Sequence, residues 1–219
     1  MKVIVTGVTG MVGEGVMHAC LNHADITEVL IVGRRPYGGT HPKLKELVHS
    51  DLYNIEPVAN QLTGYDACYF CLGTTSVGKN EEEFTKTTYD LTLSFAKILV
   101  SVNPNMTFTY ISGTGTDSTE KGKTMWARVK GRTENDLLKL PFKQAFMFRP
   151  GYLHPTKGLK NTLPYYKYIT WLYPVFKVLF PNMVSALNDL GLAMINVTQK
   201  GYTKSIIEVK DINNLAKMQ

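Results

Sequence analysis

Long uninterrupted apolar runs are missing from this 219-residue chain. Its most aromatic stretch, 163–181, is broken by Lys167, Pro174, Lys177 and Pro181 before reaching the ~20 apolar residues that span a bilayer, so no transmembrane segment is expected. Cysteine is scarce: Cys20, Cys68 and Cys71 are the whole supply, which excludes a disulfide-stapled scaffold. Because Met1 and Lys2 run straight into an apolar strand with no separate leader, the expected setting is a reducing, cytoplasmic one. Histidines 18, 23, 41, 49 and 154 never form a metal-spaced pair, so no metal site is expected. The net charge of +6 comes from cations scattered along the chain, not gathered into an arm or stripe, which argues against nucleic acid as a partner. Repeats and low-complexity tracts are also absent.

What the chain does have is glycine where a strand turns into a helix. Lys2-Val3-Ile4-Val5 is an apolar run, followed by Thr6-Gly7-Val8-Thr9-Gly10-Met11-Val12-Gly13 and then by an apolar helical pattern through Val16, Met17, Cys20 and Leu21. Glycines at these positions let the backbone turn tightly, approach a pyrophosphate and pack the next helix closely, with Thr9, Met11 and Val12 filling the same phosphate-facing loop. The spacing is Gly-x-x-Gly-x-x-Gly, and the strand before it and the helix after it make it dinucleotide-binding chemistry. A second apolar strand, Val29 to Gly33, ends in Arg34-Arg35 where an acidic residue would favour NAD; two guanidiniums there could clasp a 2′-phosphate, so NADP(H) is the expected cofactor in preference to NAD(H).

Farther along, Leu44, Leu47 and Val48 have helical spacing, and Asp51-Leu52 follows at or just beyond the end of a third strand. Cys68 and Cys71 lie inside the buried fourth strand, Ala67 to Leu72, and read as packing, since alternate residues face opposite sides. A helix is expected over 81–102, a strand over 106–112, a helix over 124–140 and a strand over 144–148 closed by Arg149-Pro150-Gly151. The alternation predicts an α/β fold: a doubly wound, mostly parallel sheet of Rossmann type with helices on both faces. Residues 1–151 form the expected dinucleotide-binding unit. The aromatic segment 152–188 is read as a cap over a substrate pocket, with a homodimer seam through 152–185 or a membrane-surface helix as alternatives. Residues 189–219 return to the main domain as a helix over 189–197, a strand over 205–209 and a short terminal helix.

The segments Thr6 to Gly13, Val32-Gly33-Arg34-Arg35, Cys71 to Thr75, Ile111-Ser112-Gly113, Val129-Lys130-Gly131 and Phe148-Arg149-Pro150-Gly151 jointly resemble the atypical branch of the short-chain dehydrogenase/reductase superfamily, the small NAD(P)-binding, epimerase-like proteins that include the Tat-interacting oxidoreductase-like branch. That resemblance implies an adenine contact near Asp51-Leu52, backbone contacts along Leu72-Gly73-Thr74 and a nicotinamide-pocket wall at Pro150-Gly151. It also implies a Ser-Tyr-Lys constellation in which the lysine binds the ribose and lowers the phenol's pKa from about 10. Ser112 and Lys130 match its serine and lysine. Trp126 stands where the tyrosine belongs, and an indole is a hydrogen-bond donor only.

Three readings of that replacement follow. Another group, such as Tyr89, Tyr110, Tyr152 or His154, supplies the proton; the chain binds NADP(H) as a sensor without turnover; or the substrate brings its own relay. The leading expectation is an NADP(H)-dependent oxidoreductase or epimerase-like enzyme on a small carbonyl or hydroxyl compound, with Ser112 orienting the substrate oxygen. The alternative is a non-catalytic NADP(H)-sensing protein.

Overall fold

The computed structural model describes residues 1–162 and 173–218. Strand β1 (Lys2–Thr6) leads through the glycine turn into helix α1 (Met11–Asn22), and β2 (Glu28–Gly33) returns parallel beside β1. Then come β3 (Leu44–Val48), a 3-10 turn (Glu56–Leu62) and β4 (Ala67–Phe70). Helix α2 (Glu81–Thr85) passes through one wide π turn, Lys86–Asp90, into α3 (Leu91–Val102), and β5 (Thr107–Ile111), α4 (Met125–Leu137) and β6 (Gln144–Arg149) follow. The last third holds β7 (Tyr152–His154), α5 (Tyr173–Leu179), β8 (Val184–Ala186), α6 (Leu187–Lys200), β9 (Ile206–Glu208) and α7 (Val209–Leu215).

Seven strands form one sheet in the order β3-β2-β1-β4-β5-β6-β9, every neighbouring pair parallel, and β7 and β8 pair separately. The order reverses between β1 and β4, and an open α/β sheet binds its ligand outside the carboxyl ends of the strands at such a point. Successive strand residues supply two cores on opposite faces. Val3, Val5 and Tyr69 pack with α1 and α6 on one face, while Ile4, Cys68 and Phe70 pack with α3 on the other. Cys68 is in the second core and Cys71 packs against the first, the opposed arrangement expected of strand residues. All three cysteines are free, and burial pushes the Cys71 thiol up to about 12.

The close approach of α1 and α6 depends on small residues: a Cβ added to Gly191 would stand 2.4 Å from the Ala19 Cβ, and one on Gly15 would meet the Leu187 side chain at 2.4 Å. One element departs from the sequence pattern. Leu44, Leu47 and Val48 have helical spacing, yet residues 44–48 form the edge strand β3, paired along the whole of Val29 to Gly33. Five residues are too few for spacing to separate helix from strand, and the open hydrogen-bonding edge of β2 decides the outcome. At the other end of the chain the expected helix, strand and terminal helix are present as α6, β9 and α7. Most of the aromatic run within the expected cap lies at 163–172, outside the described residues; around it, β7 and β8 pair through Tyr152 with Val184 and Leu153 with Ser185.

Candidate functional site

The site is built on the junction of β1 and β4. Thr6 is fully buried, and its hydroxyl oxygen accepts the N–H groups of Cys71 at 3.1 Å and Leu72 at 3.3 Å, which holds the two strand ends side by side. Gly7 then adopts φ +71°, where an added Cβ would lie 2.5 Å from the Cys71 carbonyl oxygen. Gly13 has a different constraint: its Cβ would stand 2.2 Å from the Gly7 carbonyl oxygen, so α1 can close onto the turn only without a side chain there. At Gly10 the nearest atom to an added Cβ is at 3.5 Å, an ordinary contact. Gly10 is the N-cap of α1 and contributes no side-chain cap, so first-turn amides at Met11, Val12 and Gly13 face a cleft they help to line. Uncapped amides at the positive end of a helix suit an anion.

Three hollows run along the strand ends. The first, 440 Å³, is lined by Arg34, Asp51, Leu52, Tyr53, Leu72, Gly73, Thr74 and Lys79 among others. The second, 360 Å³, lies between the glycine turn and Arg34-Arg35 and shares Arg34, Leu52 and Leu72 with the first. The third is a cleft of 780 Å³ reaching from Thr9 to Gly13 past Leu72 to Thr75 and on to Ser112, Lys130, Pro150, Asn161 and Thr162. A chain of hollows with guanidiniums at one end, free amides in the middle and a lysine at the other fits the parts of a nicotinamide dinucleotide. Of the expected contact residues, Gly7, Thr9, Gly10, Met11, Val12, Gly13, Arg34, Arg35, Asp51, Leu52, Leu72, Gly73, Thr74, Lys130 and Pro150 all line one of the three. Gly151 does not. It lies behind Pro150, where an added Cβ would meet the Met183 carbonyl oxygen at 2.2 Å.

Arg34 and Arg35 are exposed, and neither has a carboxylate within ion-pair distance among the described residues. Sequence reasoning passed over Lys79, a third cation at the first hollow, whose Nζ donates to the Thr74 hydroxyl at 2.8 Å and the Thr87 hydroxyl at 3.4 Å. A lone lysine in a loop carries no spacing signal. Asn161 and Thr162 were also missed. Glu14, in the first turn of α1, is buried and accepts the backbone N–H groups of Lys160 at 2.9 Å and Asn161 at 2.8 Å, while the Asn161 amide donates to the Val8 carbonyl at 3.3 Å. The start of the aromatic segment is thereby fastened to the glycine turn.

At the far end, Lys130 on α4 donates through Nζ to the Ser112 carbonyl. Burial pushes its pKa down to about 8, against an opposing pull from Glu134. Ser112 stands beside Lys130 at the same end of the cleft. It lines the cleft, but its hydroxyl donates to the Glu134 carboxylate at 2.5 Å and also lies 3.1 Å from the Phe148 carbonyl. Glu134 is in turn paired with Arg149, whose guanidinium also reaches Ser118 and Glu208. Glu134 is fully buried, so the donors that face it stabilise it; the Ser112 proton is committed to this network, while its oxygen keeps acceptor capacity toward the cleft.

The alternative proton donors are also displaced. Tyr110 is buried in the core, with its hydroxyl pushed well up by burial, and Tyr89 donates to Asp136 at 2.6 Å under the Arg132 guanidinium. His154 stacks on Tyr173 at 4.0 Å, and burial together with Lys157 and Lys177 lowers its pKa. None of these lines the cleft, nor does Tyr152. Trp126 is half-buried, one helical turn before Lys130, close to Gly115. Among the described residues of the cleft, Lys130 and Cys71 are the ionisable ones, and only Lys130 titrates near neutrality.

Comparison with known proteins agrees with this geometry. FMP52 of Candida albicans, whose name marks it as mitochondrial, is 26% identical over 213 residues, covering 92% of this chain and 89% of its own. HTATIP2 of Rattus norvegicus is 25% identical over 154 residues, 69% of this chain and 62% of its own. Among solved structures, the UDP-N-acetylglucosamine 4-epimerase of Bacillus cereus superposes with a TM-score of 0.67 at 17% identity, over 98% of this chain and 83% of the other. WbmF of Bordetella bronchiseptica in complex with NAD+ gives 0.65 at 15% identity, over 98% and 76%. These structural likenesses speak for the fold. The sequence profile of the NAD dependent epimerase/dehydratase family matches residues 3–124, more than half of the chain, and the chain belongs to that family.

Proposed function

We propose that this protein binds NADP(H) in preference to NAD(H) and is an oxidoreductase or epimerase-like enzyme acting on a small carbonyl or hydroxyl compound. The observation that carries the reading is the pair Arg34 and Arg35, exposed at the adenosine end of the hollows with no carboxylate partner among the described residues. Such a pair suits a 2′-phosphate through charge-assisted, bidentate hydrogen bonds. The amides of Met11 and Val12 would meet the pyrophosphate, and Lys130 would hold the nicotinamide ribose. Bound there, the nicotinamide dinucleotide would take up or release a hydride. Lys130 is then the described cleft group best placed to exchange the accompanying proton, since burial brings its pKa to about 8. A reducing, cytoplasmic setting belongs to this reading. Fractionation of cells distinguishes the cytoplasm from the mitochondrial address in the FMP52 name.

The test is calorimetric titration with NADPH, NADP, NADH and NAD of the wild type and of Arg34→Ala/Arg35→Ala. Loss of charge-assisted contacts to one phosphate is expected to weaken NADPH binding by roughly 10- to 100-fold. NADH binding should change little. Equal losses for both cofactors would overturn the 2′-phosphate assignment.

A second reading is favoured by Trp126. No phenol lines the cleft among the described residues, so a protein that binds NADP(H) and signals occupancy without turnover also accounts for the geometry. Tight NADPH binding with no oxidation across a panel of aldehydes and ketones favours that reading.

A further inference from the structure

Ser112 has one proton to give and two acceptors facing it. Its Oγ lies 2.5 Å from Oε1 of Glu134 and 3.1 Å from the Phe148 carbonyl oxygen. Arg149 donates from Nε to the same Glu134 oxygen at 3.0 Å and from a terminal nitrogen to the other. With guanidinium N–H groups on both oxygens, the carboxylate can meet Ser112 only as an acceptor. Glu134, Arg149 and Ser112 are all buried, so water does not compete for these contacts. The hydroxyl proton is therefore directed into the network.

What Oγ keeps for the cleft is its lone pairs. Among the described residues no N–H or O–H is directed at it, and the Lys130 ammonium at the same end of the cleft donates to the Ser112 main-chain carbonyl instead. A group seated against Oγ from the cleft gains a hydrogen bond only by donating one. The oxygen of a ketone or aldehyde cannot, and would meet Oγ lone pair against lone pair. A hydroxyl can: it donates to Ser112 while its own oxygen remains free to accept from Lys130, whose ammonium has three donors. An amine substrate in its ammonium form would also donate, but beside the like charge of Lys130.

We propose that Ser112 meets substrate as a hydrogen-bond acceptor, so that the cleft binds a hydroxyl compound more tightly than the corresponding carbonyl compound. The preference presupposes that the cleft holds a nicotinamide dinucleotide and such a substrate, the function proposed for it. Ser112 is then the residue that sets which member of the pair is recognised, and Glu134 with the Phe148 carbonyl fixes its polarity by holding the proton. One neutral hydrogen bond made or forgone changes affinity by roughly three- to tenfold, and that is the preference expected.

The test is ligand-observed NMR titration of matched alcohols and ketones, from isopropanol and acetone to cyclohexanol and cyclohexanone. The full chain is loaded with tetrahydro-NADP, an analogue that cannot pass a hydride, so neither member of a pair reacts. Expected is tighter binding of the alcohol by roughly three- to tenfold in the wild type. Ser112→Ala should bring the two affinities together, and Ser112→Thr, which keeps the hydroxyl, should retain the preference; thermal melts check that both variants fold. If Ser112→Ala fails to fold, the wild type and Ser112→Thr decide. Ketones bound by the wild type as tightly as alcohols, a preference that survives in Ser112→Ala or is lost in Ser112→Thr, or binding of neither member of any pair would overturn the proposal. Titration with NADPH alone separates the two levels. A wild type that binds NADPH yet treats alcohol and ketone alike would remove only the acceptor role of Ser112, whereas one that binds no dinucleotide would remove the cofactor assignment with it.

Discussion

Glu14 and Asn161 are 147 positions apart and joined by a hydrogen bond of 2.8 Å, the Asn161 N–H donating to a carboxylate buried in the first turn of α1. Lys160 donates to the other carboxylate oxygen at 2.9 Å, so one side chain satisfies two consecutive backbone amides. Hydrogen bonds to a charged group contribute about 1.5–3 kcal/mol each, and Glu14→Ala removes both, so a loss of about 3–6 kcal/mol is expected in urea denaturation. The same variant frees Asn161 and Thr162 from the cleft wall and should speed proteolysis near 155–162. Unchanged stability and unchanged proteolysis would mean the latch holds nothing in solution.

Gly10 and Gly13 belong to one turn, yet substitution should affect them differently. A Cβ on Gly13 would lie 2.2 Å from a backbone oxygen, which a small shift cannot relieve, so Gly13→Ala is expected to destabilise the fold by about 1–3 kcal/mol or more. A Cβ on Gly10 meets nothing nearer than 3.5 Å within the protein, so Gly10→Ala should melt close to the wild type. Its methyl would stand where a pyrophosphate has to approach the backbone, and NADPH affinity should fall at least tenfold. Thermal melts paired with NADPH titrations separate the two effects. Equal stability losses in both variants would contradict the distinct roles.

The Lys130 pKa of about 8 has a pH consequence whose direction follows from its role. If Lys130 gives the proton in carbonyl reduction, the protonated form is active, so kcat/KM falls as pH rises through about 8; in the reverse direction, alcohol oxidation rises through the same pH. Lys130→Met should remove the break and lower the rate by about 10²–10⁴-fold. In Lys130→Arg the guanidinium stays charged throughout, so the break leaves the accessible range. A break near 8 that persists in Lys130→Met would assign it to another group.

The parts of this molecule that were legible in sequence are those set by local pattern. Valines and isoleucines in β1 and β2, glycines between a strand and a helix, and alternating strand and helix periods specify the parallel sheet and its binding edge. Arg34 and Arg35 could be placed because a strand end has a known position relative to that edge. Side-chain direction at buried polar positions could not be read, because it depends on partners distant in sequence. Ser112 illustrates this: its hydroxyl follows Glu134 and Arg149, a pair that only the packing of α4 against β6 brings together. Asn161 reaches the cleft through Glu14 for the same kind of reason. The strand β3 was obscured differently, since its five residues carry too little periodicity to reveal an edge strand.

Trp126 gives the sharpest test of whether the cleft is an enzyme's. It precedes Lys130 by one helical turn, so the two side chains share a face of α4, and Lys130 lines the cleft. Trp126→Tyr places a phenol beside an ammonium that lowers its pKa from about 10, supplying the acid that an indole cannot be. The ring near Gly115 becomes smaller, which should cost about 1 kcal/mol of stability and leave the fold intact. Under the oxidoreductase reading, kcat for NADPH-dependent carbonyl reduction at pH 7 is expected to rise at least tenfold with NADPH affinity unchanged. A variant that binds NADPH like the wild type and still turns over nothing would show that the proton is not the missing part. In that case the cleft lacks a place for a carbonyl substrate, and the sensing reading would stand in its place.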